Sequence, residues 1–200
     1  QIMNSLLVTY ILQSEKWTSP ELFETKNRIY TFLNPVSYLI ALENKSLFEQ
    51  FDGIFADGSL LVSAIRLVYG KRVTRRSFDM TSLAPELLNY LMESRKTLYI
   101  VASGQEQVEC SVRIFQEQYP KLRIAGFRNG YFSSDAEMNK EASHIVELNP
   151  DFLIVGMGAL MQEKFLLKVK KMGYQGIGFT CGGFVHQTAM NRMHYYPEIG

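Results

Sequence analysis

The stretch Phe152-Leu153-Ile154-Val155-Gly156-Met157-Gly158 decides the fold class, because four consecutive apolar residues lead into a glycine-rich turn. A run of this length and composition predicts a short strand buried on both faces. Shortly after it, Phe165, Leu166 and Val169 form one apolar face against three lysines, which predicts an amphipathic helix. A buried strand followed by a turn and a helix is typical of a right-handed βαβ unit in a parallel sheet.

The same alternation continues on both sides of this stretch. Strand-length apolar runs are predicted at 29–33, 53–56, 98–101, 122–126, 152–155 and 176–180. Helical segments lie between them, at 38–48, 60–68, 108–115 and 137–148. We therefore expect an α/β fold with a Rossmann-like, largely parallel sheet that is flanked by helices. Residues 1–200 form a single domain in this interpretation, with two sub-lobes that meet near residues 71–77.

Composition and charge limit the classes of function. The 200 residues include 21 basic and 20 acidic side chains, so the net charge is +1 with neutral histidines. This balance argues against a protein that binds nucleic acid through bulk charge, and no apolar run approaches the ~20 residues that span a bilayer. No secretory signal is visible at the start. Cys110 and Cys181 are far apart and lack metal-ligand spacing, so we expect two buried, reduced thiols.

Candidate ligand-binding residues lie at the ends of the predicted strands. In parallel α/β sheets, ligands bind beyond the carboxyl ends of the strands. These ends are Asn34-Pro35, Asp57-Gly58, Ser103-Gly104, Asn129-Gly130, Gly156-Met157-Gly158 and Cys181-Gly182-Gly183. The six turns are therefore where we expect a ligand site.

Asp57 is the residue among them with the clearest chemical capacity. It follows a buried strand and precedes Gly58 and an apolar helix. Partial burial would raise the pKa of its carboxyl group and make it a better base, whereas the helix N-terminus would lower that pKa. Aspartate is also a favoured helix N-cap. A general base and a structural cap are both open from position alone.

The glycine turn at Gly156 and Gly158 permits two interpretations. The full GxGxxG fingerprint is broken by Met161, which disfavours an NAD-dependent oxidoreductase. The backbone N–H groups of such a turn can still hold a phosphate. Gln162 and Glu163 open the next helix, where a polar first turn is the ordinary structural role.

Four cations crowd into six residues at Lys71, Arg72, Arg75 and Arg76. A solvated basic loop and a clamp on a diphosphate are the two interpretations, because arginine offers bidentate geometry to phosphate. The three histidines do not form a metal pattern and no Asp-x-Asp occurs, so we expect no metal ion. The apolar helix at 60–68 is either buried core, which we favour, or an interface or membrane-facing patch.

Six short motifs in a fixed order carry a resemblance to a known family. They are Phe32-Leu33-Asn34-Pro35, Ala56-Asp57-Gly58, Arg75-Arg76-Ser77-Phe78-Asp79, Asn129-Gly130-Tyr131-Phe132, Val155-Gly156-Met157-Gly158 with Gln162-Glu163, and Gly182-Gly183-Phe184. From about Ile29 to its end, the chain resembles the WecG/TagA/CpsF family of bacterial glycosyltransferases, glycosyltransferase family 26.

The resemblance implies an inverting transferase that needs neither metal nor other cofactor. Such an enzyme moves a sugar from a UDP-sugar donor to a polyprenyl-diphosphate-linked acceptor, and its products feed teichoic acid, enterobacterial common antigen, capsule or exopolysaccharide. The expected place of work is the cytoplasmic face of the bacterial membrane, through peripheral contact. No nucleic acid is expected as a partner, and a homo-oligomer is left open.

The resemblance also assigns expected roles to residues. Asp57 matches the general base that deprotonates the acceptor hydroxyl. Asn34 matches a residue that lines the donor pocket. The nucleotide-side motifs are matched by Tyr131, Gly156, Gly158, Gln162 and Glu163. The expected substrate-binding set is completed by Gly58, Arg75, Arg76, Gly182 and Gly183.

The chain departs from the family pattern in places that bear on the donor. It has Leu160-Met161 where the family usually has Pro-Lys, and Phe184-Val185 where many members carry Phe-Asp. These changes favour a capsule or exopolysaccharide branch over the N-acetylmannosamine enzymes, and they leave room for a non-catalytic nucleotide-sugar-binding or assembly module.

Family members commonly carry a basic, aromatic C-terminal tail that docks on the membrane and supplies arginine. The sequence stops at Tyr195 to Gly200, roughly where such a tail would begin. We therefore expect the tail to be absent, with poor membrane binding and slow turnover as the consequence.

Overall fold

The computed structural model describes the backbone of residues 2–195 and the side chains of residues 7–191. The strands are β1 (Arg28–Leu33), β2 (Gly53–Ala56), β3 (Thr97–Ala102), β4 (Arg123–Arg128), β5 (Phe152–Gly156) and β6 (Ile177–Thr180). The helices are α1 (Ile2–Ser14), α2 (Ser19–Glu24), α3 (Pro35–Glu43), α4 (Lys45–Phe48), α5 (Ser59–Tyr69), α6 (Leu83–Ser94), α7 (Gln105–Gln118), α8 (Asp135–Leu148), α9 (Met161–Lys171) and α10 (Phe184–Tyr195). The prediction that a C-terminal tail is absent concerns the end of the sequence, where residues 196–200 lie outside the described residues.

The six strands form one parallel sheet in the order β2-β1-β6-β5-β3-β4. The predicted α/β, Rossmann-like class is therefore confirmed, and each of the six predicted strands is present. Helices α1, α2, α6 and α10 are additional to the predicted elements. Because β5 and β6 return to the middle of the sheet, the ends of β1, β6, β5 and β3 lie side by side.

Strands β1, β2, β3 and β5 divide their side chains between two apolar cores. In β1, Ile29 and Leu33 pack on one face, and Tyr30 and Phe32 pack on the other. The first face is covered by α1, α3, α5, α8 and α9, and the second by α2, α6, α7 and α10. The alternation follows from the period of two in a strand. Both faces of these four strands are buried, as near-continuous apolar strands predict, whereas the edge strand β4 is exposed on one face.

Two predictions about burial are wrong. The favoured interpretation of 60–68 as core holds for Leu61 and Ile65, but Leu60, Leu67 and Val68 are exposed. A helix that packs on a sheet from one side buries one stripe only, so the rest of an apolar helix stays outside. Both cysteines are free and Cys181 is buried, but Cys110 is partly exposed.

The segment from 71 to 77 contains no helix or strand. It crosses the carboxyl edge of the sheet, where the Arg76 N–H donates to the carbonyl oxygen of Ala56 at 3.0 Å. The division into sub-lobes at this segment stays a prediction. In the described part of the chain, no helix is long and apolar enough to cross a membrane.

Candidate active site

A cavity of about 690 Å³ lies at the carboxyl edge of the sheet. Residues that follow all six strands line it, which brings the six predicted turns together around one space. The lining residues from these turns are Asn34, Asp57, Ser103, Gly130, Tyr131, Gly156, Met157, Gly158, Cys181, Gly182 and Gly183. The volume falls within the range of about 300 to 1,000 Å³ that is usual for small-molecule sites.

Asp57 lines this cavity directly after β2. It is not the cap of α5, because Gly58 occupies the N-cap position with φ near 96° and no side chain caps the helix. A φ in this range favours glycine. The Asp57 carboxylate has no hydrogen-bond partner among the described residues. Burial, and then the negative charge of Asp79, raise the pKa of Asp57, against an opposing effect of Arg75.

Asp79 is the second carboxylate at the cavity, and the expected site residues did not include it. Burial acts to raise its pKa, but hydrogen bonds from the Thr81 hydroxyl and N–H outweigh burial. The Arg75 guanidinium, 3.7 Å away, adds to the lowering. The pKa of Asp79 is therefore lowered overall, so it keeps its negative charge beside Asp57.

The glycine turn after β5 approaches the turn after β6 very closely. A Cβ on Gly156 would lie 2.5 Å from the carbonyl oxygen of Gly182 and 2.8 Å from the Cys181 sulfur. Gly158 and Gly182 have positive φ values, near 81° and 51°. Position 156 therefore requires glycine because the neighbouring turn leaves no room for a Cβ atom. Positions 158 and 182 favour glycine because their backbone conformation is left-handed.

Glu163 lies beneath the cavity and does not line it. Its side chain is fully buried on α9, and one carboxylate oxygen accepts a hydrogen bond from the Thr31 hydroxyl at 2.9 Å. The other oxygen accepts from the Leu160 N–H at 2.9 Å. The Thr31 hydroxyl is also 2.8 Å from that of Thr180, which does line the cavity. Burial raises the pKa of Glu163, and these hydrogen bonds oppose the rise.

Gln162 connects this buried network to the cavity. Its amide N–H donates to Glu163 at 3.4 Å, and its amide oxygen accepts from the Gly182 N–H at 3.2 Å. Gln162 also lines the cavity although it is buried. The polar pair at the start of α9 therefore fixes the turn after β6, which is more than the polar first turn that position alone indicated.

Asn34 follows β1 and Tyr131 follows β4, so the two residues line the cavity from opposite halves of the sheet. The Asn34 side-chain oxygen accepts from the Ser37 N–H at 2.9 Å and so caps α3. Tyr131 is 74% exposed, and its N–H donates to the Asn129 side chain at 2.9 Å. The Tyr131 ring is free of the core and can stack on a flat ligand group.

Gly58, Arg75 and Arg76 do not line the cavity. The Arg75 guanidinium lies against Thr81 and Asp79 at the rim. The Arg76 guanidinium lies over the Phe55 ring, with 5.1 Å to the ring centre. The diphosphate clamp therefore stays a prediction for both arginines.

The structure adds His186 and Ser103 to the site. Both line the cavity, and the Ser103 hydroxyl is 3.5 Å from Nδ1 of His186. Ser103 stands in one of the predicted turns, with a left-handed φ of 61°. His186 is brought there by α10, whose first residue Phe184 packs on Phe78 and Phe115, at 5.5 Å between ring centres in each case. Within the described residues, no group of three His, Cys, Asp or Glu side chains could hold a metal ion.

Comparison with known proteins identifies the family. The model of the glycosyl transferase WecG/TagA/CpsF family matches residues 14–194. The chain belongs to this family. The UDP-Gal:alpha-D-GlcNAc-diphosphoundecaprenol beta-1,4-galactosyltransferase of Shigella boydii is 33% identical over 171 residues, which cover 86% of this chain and 71% of that protein.

Two other WecG/TagA/CpsF relatives carry a different activity in their names. The N-acetylglucosaminyldiphosphoundecaprenol N-acetyl-beta-D-mannosaminyltransferase of Bacillus subtilis (strain 168) is 23% identical over 159 residues, 78% of this chain. Its namesake from Staphylococcus aureus (strain NCTC 8325 / PS 47) is 24% identical over 162 residues, 80% of this chain. The chain spans 60% and 62% of the lengths of these two relatives.

Proposed function

We propose that this WecG/TagA/CpsF member transfers galactose from UDP-galactose to an N-acetylglucosamine that is linked to a polyprenyl diphosphate. The observation that carries the proposal is Asp57, a carboxylate with a raised pKa and no hydrogen-bond partner among the described residues, at the family's expected base position in the cavity. A general base needs to be accessible, and a raised pKa makes its ionised form a better proton acceptor. Asp57 lines the cavity and its pKa is raised.

In the proposed reaction Asp57 accepts the proton of the acceptor hydroxyl. That oxygen forms a bond to the anomeric carbon of the donor sugar, and the bond from this carbon to the UDP oxygen breaks. The electron pair leaves with UDP, and the anomeric configuration inverts. Asp79, which stays ionised nearby, supports the basicity of Asp57 by disfavouring a second negative charge.

UDP is proposed to bind at the turns after β5, β6 and β4. Backbone N–H groups at Gly156 and Gly158 suit a diphosphate, because main-chain donors in glycine-rich turns can approach phosphate closely. The exposed Tyr131 ring suits the flat uracil base. Leaving-group charge would then be stabilised by N–H groups, with Arg75 at the rim, and we propose that transfer requires no metal ion.

Galactose is proposed as the donor sugar for two reasons. The relative named as a galactosyltransferase is 33% identical to this chain, against 23% and 24% for the mannosaminyltransferases. The Phe184-Val185 departure, which favours a branch other than the N-acetylmannosamine enzymes, adjoins the cavity, because Phe184 lines it and Val185, the next residue in the chain, is buried. The product is proposed to enter capsule or exopolysaccharide synthesis, and the lipid-linked acceptor places the enzyme peripherally at the cytoplasmic face of the membrane.

A donor screen with product analysis tests the proposal. The protein is incubated in detergent with the acceptor N-acetylglucosaminyl-diphosphoundecaprenol and with one donor at a time: UDP-galactose, UDP-glucose or UDP-N-acetylmannosamine. The mass of the lipid product is then measured by mass spectrometry. We expect a hexose added from UDP-galactose fastest, with and without EDTA. Thermal stabilisation by UDP without transfer from any donor would contradict the proposal and support the nucleotide-sugar-binding module. Loss of transfer in EDTA would overturn metal independence alone.

A further inference from the structure

Helix α5 carries two apolar stripes, and the fold uses only one of them. Leu61 and Ile65 pack into the core beneath the helix. Leu60 and Leu67 are seven residues apart and share another face of the helix, and Val68, in the last turn, is also exposed. Their exposed fractions are 70%, 87% and 70%. An apolar stripe that is presented to solvent on a surface helix indicates a contact outside the described chain.

Helix α3 lies beside α5 and extends the same surface. Tyr38 on α3 and Tyr69 on α5 share a side-chain hydrogen bond, and burial followed by the effects of Tyr69 raises the pKa of Tyr38 to about 12. Near its start α3 presents Val36 and Leu39, which are also exposed. The α3–α5 face is defined here as Val36, Leu39, Leu60, Leu67 and Val68. It holds five of the eleven large apolar side chains that are exposed in the described residues.

Cations outnumber acidic residues around this face, where the acidic residue on α3 is the exposed Glu43. Between residues 58 and 78 there are five cations and no acidic residue: Arg66, Lys71, Arg72, Arg75 and Arg76. The net charge of the whole chain is +1, so the rest of the chain sums to −4. A local charge of +5 in residues 58–78, beside an apolar face, is complementary to a surface that is anionic outside and apolar inside. It opposes the pairing of this face with the same face of a second copy, because the cations would repel each other.

We propose that the α3–α5 face docks on an anionic phospholipid bilayer. The proposal rests on the proposed function in one respect: a polyprenyl-linked acceptor is held in such a bilayer. Apolar side chains enter the acyl boundary while lysine and arginine contact the lipid phosphates. Leu60 follows Asp57 by three residues and Val36 follows Asn34 by two, so the docked face adjoins the rim of the cavity.

Vesicle binding without donor or acceptor tests this inference independently of transfer. The 200-residue chain is sedimented with phosphatidylcholine vesicles that contain or lack phosphatidylglycerol, at low and at high salt. The sequence predicts poor membrane binding without the C-terminal tail, whereas the α3–α5 face predicts that the chain binds the phosphatidylglycerol vesicles and that salt weakens this binding. Lys71→Gln with Arg72→Gln should lower the partition coefficient roughly twenty-five-fold, about fivefold for each cation. Leu67→Gln with Val68→Gln should lower it at least as much.

Matched variants elsewhere on the surface control for charge and hydropathy. Lys121→Gln, at the opposite edge of the sheet, and Leu148→Gln, an exposed leucine on α8, should bind vesicles as the unchanged chain does. UDP stabilisation in solution should be unchanged in all variants, which separates docking from donor binding. The inference is overturned if the unchanged chain ignores anionic vesicles, if the α5 variants bind them equally well, or if those variants instead convert an oligomer to a monomer.

Discussion

Asp57 and Glu163 are two carboxyl groups at the same edge of the sheet, and burial raises the pKa of both. Glu163 lies on the covered side, where Thr31, Leu160 and Gln162 all donate hydrogen bonds to it. Asp57 faces the cavity without a hydrogen-bond partner among the described residues. The raised pKa therefore has a different consequence at each residue. Glu163 is held by its donors and is structural, whereas Asp57 is accessible and can exchange a proton with a ligand.

This difference separates function from stability in a way that substitution can test. A buried carboxylate whose donors are satisfied contributes to the fold, and its removal leaves those donors unpaired. A desolvated carboxylate that lacks donors costs the fold some stability and supplies basicity. Substitutions at these two groups and at their neighbours test whether one carboxylate serves function and the other serves stability.

Asp57→Asn should lower kcat about 10² to 10⁴-fold, because the amide cannot accept the proton of the acceptor hydroxyl. UDP binding should stay near its original value, and the free energy of unfolding should stay level or rise slightly, because a desolvated charge is removed. The transfer assay with UDP-galactose and thermal stabilisation by UDP measure the two quantities. Undiminished transfer by this variant would show that Asp57 is not the general base.

Glu163→Ala should lower the free energy of unfolding by about 2 to 5 kcal/mol, because the Thr31 hydroxyl and Leu160 N–H lose their acceptor inside the protein. Urea unfolding measures the change. Glu147→Ala, at an exposed position on α8, is the control and should stay within about 0.5 kcal/mol. A Glu163 variant as stable as this control would show that the network does not hold the fold.

Gly156→Ala should destabilise the protein by about 1 to 3 kcal/mol, because the added methyl group meets backbone and sulfur atoms of the neighbouring turn. Gly183→Ala is the matched control, since a Cβ there meets nothing within 4 Å. Thermal unfolding of both variants makes the comparison. Equal melting temperatures would mean that the turn after β6 moves away from the added methyl group without loss of stability.

Glu163→Gln should change how stability depends on pH. The native pKa of Glu163 is raised, so the folded state binds the proton more tightly, and stability falls as pH rises from the ordinary carboxyl pKa to the raised one. Glutamine cannot titrate, so this fall should be missing from the variant. Urea unfolding across that pH range measures the two slopes, and identical slopes would contradict burial of the charge.

Asp79→Asn should produce the smallest effect, a shift of the acid limb of the kcat/KM profile to lower pH. Activity is lost as pH falls through the raised pKa of Asp57, and removal of the nearby negative charge lowers that pKa. Glu49→Gln, at the other end of β2, should leave the limb in place. A shift to higher pH would mean that Asp79 does not act on Asp57 through its charge.

Much of the fold was predictable because its signals are local. A buried strand needs only a short apolar run and a turn, and all six strands have both. Helix α6 also has a local signal, with Leu83, Leu87, Leu88 and Leu91 on one face, but the prediction missed it. Helix α10 was missed because its apolar contacts, Phe184 with Phe78 and Phe115, join residues far apart in the chain.

The candidate site was predictable in its location and less so in its chemistry. Position after a strand was enough to select Asn34, Asp57 and the glycine turns, because parallel strands bring their ends to one edge. Position could not show that Asp79 stays ionised, since this depends on Thr81 and Arg75. Nor could it show that His186 reaches Ser103, since the two residues are 83 positions apart.

By itself, the sequence determined the class of fold and the edge of the sheet that carries the site. Those properties follow from periodicity and from residues adjacent in the chain, whereas the candidate base Asp57 came from the resemblance to the family. Only the tertiary structure decided that Glu163 is buried while Asp57 is open, and that one stripe of α5 is left outside. Burial and pKa depend on which distant residues exclude water and donate hydrogen bonds, and this is fixed only when the strands and helices pack.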